Sequence, residues 1–316
     1  MYHIIVNARS RSGYGEKIWQ RIRHRLILEK IPFCEYQTRC RLDARKISAA
    51  LTSKENWREE DVLVVLGGDG TVNEAVDGIC QPSRVRFGYI PTGSGNDFAR
   101  GTGLCTDADE ALDAILRGHE MRIDIGRVDF SGEQTRRFLI SSGIGYDAAI
   151  CHEALSSKIK DALNQFHLGK LTYCMIALRQ LFALNPFTIS LMGEDGNTKT
   201  YEKALFAVAM NLPYEGGGFR FCPEADFSDG LLDVMVVSSL DKWRICYLLP
   251  VALFGKHTGF PQIHMQKCRR ISWKTDSAQC VHLDGESGGR RCQMTLEIEK
   301  EQLRLLGGCA DRKERK

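Results

Sequence analysis

Two glycine-rich stretches hold the residues of this sequence whose types and spacing are best suited to chemistry. The first, Gly67–Thr71, reads GGDGT and follows the apolar run Val62–Leu66. The second, Gly93–Asp97, reads GSGND and follows the apolar run Phe87–Ile90. Glycine allows backbone N–H groups to approach phosphate oxygens closely, and the N-terminus of a following helix adds a positive dipole. The two stretches therefore predict a site for a polyphosphate and its metal ion.

Polar side chains in these loops support the same prediction. Asp69 can reach a magnesium ion that bridges the phosphates, and Thr71 can cap the following helix or donate to a phosphate. The first loop is not a Walker A loop, because no Gly-Lys-Ser/Thr follows it. Taken alone, it is equally typical of a tight strand-to-helix turn. The second loop favours a ligand, since neighbouring parallel strands would place both loops at the same edge of a sheet.

The elements that must position these loops follow two patterns. Strand and helix patterns alternate as far as about residue 120, which predicts a doubly wound α/β domain. From Met121 onward strand patterns predominate, which indicates a largely antiparallel, β-rich second domain. Two helical regions interrupt it, Gly169–Leu184 and Lys242–Phe254. We therefore expect domains at 1–120 and 121–300, with a tail at 301–316 that can return to the first domain as a last strand.

The composition excludes several classes of protein. With 316 residues, of which 43% are hydrophobic and 26% charged, the chain can bury a sizeable core. A net charge of +3 is too small to indicate a nucleic-acid partner. The 12 cysteines form no C-x-x-C pair, so reduced thiols are expected and a zinc site is not. Without a secretory signal or an apolar run of roughly 20 residues, a soluble cytoplasmic protein with no transmembrane segment is expected.

The motifs together resemble those of a known family. GGDGTVNEAVDG and IPTGSGNDFAR are similar to the catalytic domain of diacylglycerol kinases, in the bacterial soluble lipid kinase branch that also resembles sphingosine kinases. Later segments match the same family in order, namely Ile123–Gly126, Asn211 with Glu215–Gly218, Pro223–Ala225, Asp229–Asp233 and Leu283–Glu286. Because these ordered motifs extend over nearly the whole chain, they are far more specific together than any one of them is alone.

The resemblance implies both a fold and an activity. The fold is an N-terminal nucleotide-binding domain, shared with NAD kinases and phosphofructokinases, and a C-terminal β-sandwich. The activity is transfer of the ATP γ-phosphoryl group to a lipid hydroxyl. The positions that match nucleotide contacts of the family are Asn7, Gly13, Thr38, Gly68, Asp69, Gly70, Thr71, Val72, Asn73, Glu74, Ser94 and Asp97. The segment from Asn7 to Gly13 corresponds to the family's first phosphate loop. It departs from the family pattern, because Ala8 replaces the usual proline and the loop is longer.

The resemblance also implies a structural magnesium ion in the second domain. Asp229 matches the aspartate that holds this ion, with carbonyl oxygens at the positions of Asp226 and Leu231. Hard oxygen ligands and retained waters are what Mg²⁺ requires. A simple hairpin turn at Ser228–Gly230 is the alternative. The family also has an acidic network that links this metal to the nucleotide, and its positions match Asp69, Asp97 and Asp124.

Two carboxylates are candidates for the catalytic base. Asp284 and Glu286 flank a glycine after the strand Val281–Leu283, where a carboxylate can accept the proton of a substrate hydroxyl during in-line transfer. The resemblance favours Glu286 as the proton acceptor, with Asp284 close behind. A D-G turn without a catalytic role is the alternative.

The expected function is that of an ATP- and Mg²⁺-dependent lipid kinase that works at the inner membrane surface, with diacylglycerol as acceptor and phosphatidic acid as product. A sphingoid base or ceramide is an alternative acceptor. NAD kinase, which shares the GGDGT loop, is an alternative enzyme, and a nucleotide-binding regulator without turnover is an alternative of another class. The family also implies a homodimer. Basic side chains of the first helix and of 312–316 can approach anionic lipid, although a solvated basic face is the simpler explanation.

Overall fold

The computed structural model describes residues 1–53, 57–132, 135–156, 179–180 and 185–308. The chain divides into two compact units. Unit 1 consists of Met1–Ile125, Gly216–Gly218 and the C-terminal segment from Glu299. Unit 2 consists of Gly126–Glu215 and Phe219–Ile298. Each unit has its own sheet and its own buried core.

Unit 1 is an α/β domain with a six-stranded sheet. Its strands are β1 (Tyr2–Val6), β2 (Phe33–Gln37), β3 (Val62–Gly67), β4 (Arg86–Pro91), β5 (Glu120–Ile123) and, from the C-terminal segment, β15 (Leu303–Leu306). Its helices are α1 (Ser10–Leu28), α2 (Asp43–Thr52), α3 (Asp69–Gly78), α4 (Asp97–Thr102) and α5 (Ala108–Arg117). The sheet order is β2-β1-β3-β4-β15-β5. Strands β1 to β4 run parallel, and β15 is parallel to β4 and antiparallel to β5.

The core of unit 1 explains why its central strands are apolar throughout. Every residue of β3 is buried, as expected for a parallel strand that is covered on both faces. On α1, Ile18, Ile22 and Leu26 recur at helical spacing and are buried in the same cluster as the sheet residues. Burying one such side chain stabilises a fold by roughly 1.5–3 kcal/mol. The packed helices therefore hold the sheet in place, and the sheet holds the loops that follow its strands.

The described part of unit 2 has a nine-stranded antiparallel sheet. The strands are β6 (Gly126–Asp129), β7 (Thr135–Phe138), β8 (Ser141–Gly145), β9 (Phe187–Gly193), β10 (Thr198–Met210), β11 (Leu232–Ser238), β12 (Ile263–Cys268), β13 (Arg270–Leu283) and β14 (Glu286–Ile298). The described helices are α6 (Tyr146–Ser156) and a later helix, α7 (Lys242–Leu253). The main path of the sheet is β12-β11-β10-β8-β13-β14-β6-β7, and β9 pairs with both β10 and β13.

Two long strands of unit 2 change partners along their length. The first part of β13, Ile271–Thr275, pairs with β9, whereas Val281–Leu283 pairs with β8. Strand β10 likewise pairs with β9 near its start and with β8 and β11 near its end. Side chains from β6 to β14 share one buried cluster, with Trp273 at 1% exposure among its largest members. The partner change therefore encloses one buried core, as the two sheets of a sandwich do, and a second buried cluster includes other residues of β10 and β11.

The predicted fold class is confirmed, with an α/β unit followed by a β-rich antiparallel unit. The helix predicted at Lys242–Phe254 is found as α7. The helix predicted at Gly169–Leu184 lies outside the described residues, apart from 179–180. In the part of the chain that the structure describes, no helix is both long enough and apolar enough to cross a membrane.

Candidate active site

The glycine-rich loops of unit 1 lie together at the carboxyl ends of its parallel strands. Gly67 and Pro91, the last residues of β3 and β4, are paired in register. The Thr92 N–H donates to the Gly67 carbonyl at 2.7 Å, and the Asn7 N–H, just beyond β1, donates to the Leu66 carbonyl at 2.8 Å. Three neighbouring strands thus end at one edge of the sheet, which is where ligands bind in open α/β folds.

The two loops contact each other through glycine backbones. A Cβ atom added to Gly93 would lie 2.9 Å from the Gly68 Cα, and one added to Gly68 would lie 3.3 Å from the Gly93 Cα. A Cβ on Gly67 would lie 2.7 Å from the Thr71 Cβ. Real side chains do not fit at the shorter of these distances, so glycine is required where the loops pack together. The glycine spacing therefore reflects this close approach as well as the exposure of N–H groups.

The N-terminus of α3 is presented by the first loop. Gly68 precedes the helix in an extended conformation, and no side chain of the described loop caps it. Asn7 Nδ2 donates to Thr71 Oγ1 at 2.9 Å, which connects the end of β1 to the first turn of α3. Ser10 Oγ and Thr92 Oγ1 lie 2.7 Å apart and connect the start of α1 to the second loop. A helix N-terminus without a side-chain cap is suited to bind an anion.

The Asp69 carboxylate is held by the N-terminus of α4. Its Oδ2 accepts from the Asp97 N–H at 3.1 Å, and its Oδ1 accepts from the Phe98 N–H at 3.3 Å. A negative charge at this position is favoured by the helix dipole. Asp69 therefore joins the first glycine loop to the second, in addition to any contact it makes with a ligand.

Asp97 is buried at the start of α4, and its carboxylate accepts hydrogen bonds from two donors. The Gly217 N–H donates to its Oδ2 at 2.6 Å, and Arg100 Nη1 donates to its Oδ1 at 2.8 Å. Burial raises the pKa of the Asp97 carboxyl group, and the Gly217 N–H and Arg100 oppose this rise. Neither donor was predicted from the sequence. The available signal was the run of glycines in Glu215–Gly218, since all three of its glycines have positive φ, a conformation that favours glycine.

Asp124, the third member of the predicted acidic network, pairs with the C-terminal segment. It is buried just after β5, and its Oδ1 accepts from Gln302 Nε2 at 2.9 Å. The structure thus joins Asp69 and Asp97 through a direct hydrogen bond and places Asp124 beside the residues that lead into β15.

The remaining predicted nucleotide contacts are arranged around the same strand ends. Thr38 follows β2, and its N–H donates to the Val6 carbonyl at 2.9 Å. Glu74 Oε1 accepts from the Leu42 N–H at 2.9 Å. In α3 the side chains of Val72 and Asn73 are buried, whereas on the second loop Ser94 is exposed.

Gly13 lies in an interruption of α1. Arg11, Ser12 and Gly13 have φ values of 46°, 56° and 89°, which are left-handed rather than helical. Such φ values are costly for the first two residues and cost glycine little. This interruption lies in the segment Asn7–Gly13, the loop that is longer than the family pattern.

The candidate base Asp284 forms a two-residue turn with Gly285 between β13 and β14. Both residues have positive φ, 49° and 81°, as a type I′ hairpin requires. The Asp284 carboxylate accepts three backbone hydrogen bonds, at 2.8, 2.8 and 2.9 Å, from the N–H groups of Leu139, Ile140 and Ser141. Asp284 therefore fastens the hairpin to the segment between β7 and β8.

Glu286, the other candidate base, is the first residue of β14 and is half-buried. It lies opposite Leu283 in the β13–β14 register. The D-G turn expected as the alternative does exist, but it gives the two carboxylates different environments. The Asp284 carboxylate is fixed by three backbone donors, whereas Glu286 begins the next strand.

His282 is a buried residue that sequence reasoning missed. Its Nε2 lies 3.1 Å from Asp147 Oδ2 and 3.1 Å from Glu215 Oε1. Burial lowers the pKa of His282, but the Glu215 and Asp147 carboxylates outweigh burial and raise it to about 9. The Gly285 N–H lies 3.3 Å from Nδ1, a contact that suits a neutral ring, yet two carboxylates on one nitrogen favour the imidazolium. No spacing in the sequence signals this cluster, because its members come from separate segments.

The loop predicted to hold a structural magnesium ion is a turn fastened by its own side chains. Asp226 Oδ1 accepts from the Ser228 N–H at 2.9 Å and from Ser228 Oγ at 2.7 Å. Asp229 Oδ1 accepts from the Leu231 N–H at 2.9 Å. Lys267 Nζ lies 3.2 Å from Asp229 Oδ2 and also contacts the side chain of Asp233 at 3.3 Å.

The donor set of this loop suits Mg²⁺ in kind, because carboxylate and carbonyl oxygens are hard ligands. Among the described residues, no group of three or more His, Cys, Asp or Glu side chains is placed to hold a metal ion. A magnesium ion here would therefore depend on the Asp229 carboxylate, on backbone carbonyls and on water. The Lys267 ammonium already balances part of the negative charge of Asp229.

The fold, with paired glycine loops at the sheet edge of an α/β unit and a separate β-rich unit, defines a class of two-unit proteins, and comparisons narrow this class. The family model described as the diacylglycerol kinase catalytic domain matches residues 1–128. The family model described as the YegS C-terminal NAD kinase beta sandwich-like domain matches residues 143–307. The chain therefore belongs to the diacylglycerol kinase-like family of bacterial lipid kinases and is an enzyme of that class.

Individual relatives agree with this assignment. A diacylglycerol kinase of Staphylococcus saprophyticus is 29% identical over 77% of this chain and 74% of its own length. The crystal structure of a diacylglycerol kinase from Bacillus anthracis has a TM-score of 0.72 at 22% identity, and covers 98% of this chain and 97% of that chain. An NAD kinase from Archaeoglobus fulgidus in complex with ATP has a TM-score of 0.51 at 12% identity, with 98% and 94% covered. The two structures show the fold alone, which is the one that the resemblance implied.

Proposed function

We propose that this lipid kinase transfers the γ-phosphoryl group of ATP to the hydroxyl of diacylglycerol, which yields phosphatidic acid and ADP. The single observation that supports phosphate binding best is the backbone contact of Gly68 with Gly93 at the carboxyl ends of β3 and β4. An edge of this kind offers N–H groups and a helix N-terminus to a polyphosphate. Family membership and the name of the relatives support diacylglycerol as the acceptor.

In this proposal the backbone at the start of α3 surrounds the phosphates. Thr71 Oγ1 accepts from Asn7 Nδ2, so its own O–H is directed to another acceptor, and a phosphate oxygen is a suitable one. Asn7 thus orients Thr71. Ser94 is exposed on the second loop and offers a further hydroxyl. Asp69 and Asp97 hold the two loops against each other, which fixes the spacing of the N–H groups.

Magnesium enters this proposal at two places. An ion bound with the nucleotide would neutralise charge on the transferred group, as in other phosphoryl transfer enzymes. In unit 2, Asp229 would hold a structural ion together with the carbonyl oxygens of Asp226 and Leu231. Asp124 remains a proposed member of the acidic network that accompanies these ions.

We assign the proton transfer to Glu286. The acceptor hydroxyl gives its proton to the Glu286 carboxylate as its oxygen bonds to the γ-phosphorus, and the bond from that phosphorus to the ADP oxygen breaks. Asp284 holds the turn that carries Glu286 into β14, because three backbone N–H groups fix its carboxylate. Asp284 is therefore proposed as a positioning residue rather than as the base.

NAD kinase is the second candidate, since a solved NAD kinase shares the fold. The carboxylate turn at Asp284–Glu286 and the name of the relatives favour a lipid acceptor instead. A sphingoid base or ceramide remains an alternative acceptor, and a regulator that binds nucleotide without turnover is the alternative outside enzymes.

The proposed activity is tested with a panel of acceptors, each in its own reaction. Purified protein is incubated with γ-labelled ATP, Mg²⁺ and one acceptor at a time. The acceptors are diacylglycerol, a sphingoid base, ceramide and NAD. We expect label in phosphatidic acid, a strong decrease with Glu286→Gln and no transfer when EDTA replaces Mg²⁺. Label transferred to NAD, or nucleotide binding with no transfer to any acceptor, would refute the proposal.

A further inference from the structure

Helix α7 of unit 2 has an apolar surface on two opposite sides. Ile245, Leu248 and Ala252 are buried and belong to one side, where the first two are part of a hydrophobic cluster with β10 and β11 residues. At about 100° per residue these three side chains fall within about 60° of one another. A surface helix normally has polar residues on the side opposite such a stripe.

The opposite side of α7 is aromatic and exposed. Trp243, Tyr247 and Phe254, which is the residue that follows the helix, are 74%, 65% and 70% exposed. Their spacing of four and seven residues places them within about 40° of one another and roughly opposite the buried stripe. The exposed stripe extends about 16 Å along the helix axis at a rise of about 1.5 Å per residue. Burying these rings in an apolar environment would be favourable, so the stripe is suited to a partner surface.

The residue types of the stripe and the charges around it indicate what kind of surface would contact it. Tryptophan and tyrosine are favoured where an apolar phase meets water, because each has an apolar ring and a polar N–H or O–H group. Arg244 is exposed beside Trp243, and Lys256 is exposed just beyond Phe254, so the stripe has a cation at each end. Asp241 lies 3.7 Å from Arg244 and offsets part of its charge. Cations that flank aromatic residues suit an anionic lipid surface, because the negative surface potential attracts them.

We propose that this stripe, formed by Trp243, Tyr247 and Phe254 with Arg244 and Lys256, docks unit 2 on the surface of a bilayer that contains anionic lipid. The inference rests on the proposed function, because a diacylglycerol acceptor resides in a bilayer and the enzyme must reach it there. The helix lies in the plane of the interface, with its buried stripe toward the core of unit 2 and its aromatic stripe toward the acyl chains.

Tryptophan fluorescence can report this contact at one position. The other three tryptophans, Trp19, Trp57 and Trp273, are buried, so quenching by iodide in water reports mainly on Trp243. Vesicles of phosphatidylglycerol and phosphatidylcholine are added to the full chain without nucleotide. We expect a blue shift of the emission and protection from iodide, both weaker with vesicles of phosphatidylcholine alone. Emission and quenching unchanged by either vesicle would refute the docking surface.

A triple variant tests the stripe directly. Trp243→Ser with Tyr247→Ser and Phe254→Ser should lower the partition onto anionic vesicles by about tenfold or more. The matched control is Ile27→Ser with Leu28→Ser on α1, which removes two apolar side chains that are also exposed, and should not change the partition. Equal losses in both variants would overturn the assignment to α7.

Activity measurements separate this inference from the proposed function. The triple variant should phosphorylate a short-chain, water-soluble diacylglycerol at the rate of the unaltered protein and lose activity on diacylglycerol in vesicles. Vesicle docking through Trp243 without phosphorylation of any lipid would support the surface and refute the proposed function. Full activity of the triple variant on vesicles would refute the surface and leave the proposed function intact. Iodide protection of Trp243 without vesicles, together with a dimer in sedimentation that the triple variant loses, would assign the stripe to a second copy of this chain instead.

Discussion

The glycine loops of unit 1 and the carboxylate turn of unit 2 are both short connections after buried strands, but different contacts determine their geometry. Gly68 and Gly93 pack on each other from two consecutive strand ends. Asp284 instead depends on the N–H groups of Leu139 to Ser141, which lie 145 to 143 residues earlier in the chain. The first region is determined by neighbours along the sheet, and the second by a distant segment.

Because of this difference, the residue types alone indicate the role of the glycine loops but not the role of the carboxylate turn. In the glycine loops the need for a small residue is itself the signal, because a Cβ atom would collide with the facing backbone. In the turn a carboxylate is compatible with a base, with a metal ligand or with an acceptor for backbone N–H groups. Only the distant partner decides between these roles. Substitutions can test this difference, because some should lower kcat or kcat/KM and others should lower the free energy of unfolding.

The largest effect is expected for Gly93→Ala in the second glycine loop. The added Cβ would lie 2.9 Å from the Gly68 Cα, so one of the two loops must move. Because the proposed function relies on this backbone to position the phosphates, kcat/KM for ATP should fall by about 100-fold or more, which corresponds to about 2.7 kcal/mol. Steady-state kinetics and a nucleotide-binding titration measure this loss.

The matched control for Gly93→Ala is Gly259→Ala. Nothing lies within 4 Å of the position that its Cβ would take, and its φ is not in the left-handed region. This variant should retain the activity of the unaltered protein. If both alanine variants keep full activity, close packing of the glycine loops is not what positions the nucleotide.

The next effect is expected for Glu286→Gln at the start of β14. A glutamine cannot accept the proton of the acceptor hydroxyl, so kcat should fall by about 100-fold, the lower end of what general base catalysis contributes. The free energy of unfolding should hardly change, because the substitution preserves size. Kinetics and urea unfolding on the same preparation separate the two quantities. Unchanged kcat would remove Glu286 from the chemistry.

Much of the fold was predictable because its signals are local. The apolar runs Val62–Leu66 and Phe87–Ile90 are found within β3 and β4, and the glycines after them mark the sheet edge. The helical spacing of Ile18, Ile22 and Leu26 is likewise a local pattern, and it coincides with the buried side of α1. In unit 2 the boundaries were less predictable, since β13 continues from Arg270 to Leu283 and changes partners within its length.

The candidate site was predictable to a different extent in each region. The sequence predicted that Gly67–Thr71 and Gly93–Asp97 meet at one sheet edge, and the structure places them there. That Asp69 also holds α4 through two N–H groups was not predicted. The contact of Asp97 with the Gly217 N–H was not predicted, because it joins residues 120 apart in the sequence. The His282 cluster was missed for the same reason. Long-range contacts of single polar residues leave no periodic pattern in a sequence.

Asp284→Asn should affect stability more than chemistry. Asparagine has one acceptor oxygen, and its NH₂ group would face the N–H groups of the β7–β8 segment. Losing charge-assisted hydrogen bonds and leaving a donor unmatched should lower the free energy of unfolding by about 2–3 kcal/mol. Urea unfolding measures this loss, and the exposed Asp241→Asn serves as the control. A stable Asp284→Asn enzyme with a decrease in kcat like that of Glu286→Gln would mean that Asp284 takes part in the chemistry.

The smallest effect concerns His282, and it depends on pH. The pKa of His282 is raised to about 9 in the folded chain, since the Glu215 and Asp147 carboxylates outweigh the cost of burial. A raised pKa means that the protonated form stabilises the fold. This contribution is fully present below the ordinary histidine pKa of about 6.5, and it is lost as the pH rises through about 9.

The pH dependence is measured as the difference in free energy of unfolding between the unaltered protein and His282→Gln. This difference should be largest near pH 6 and should shrink by about pH 10, because the glutamine variant lacks the titrating group. A difference that does not vary with pH would mean that the imidazole is neutral and is held instead by the Gly285 N–H at Nδ1.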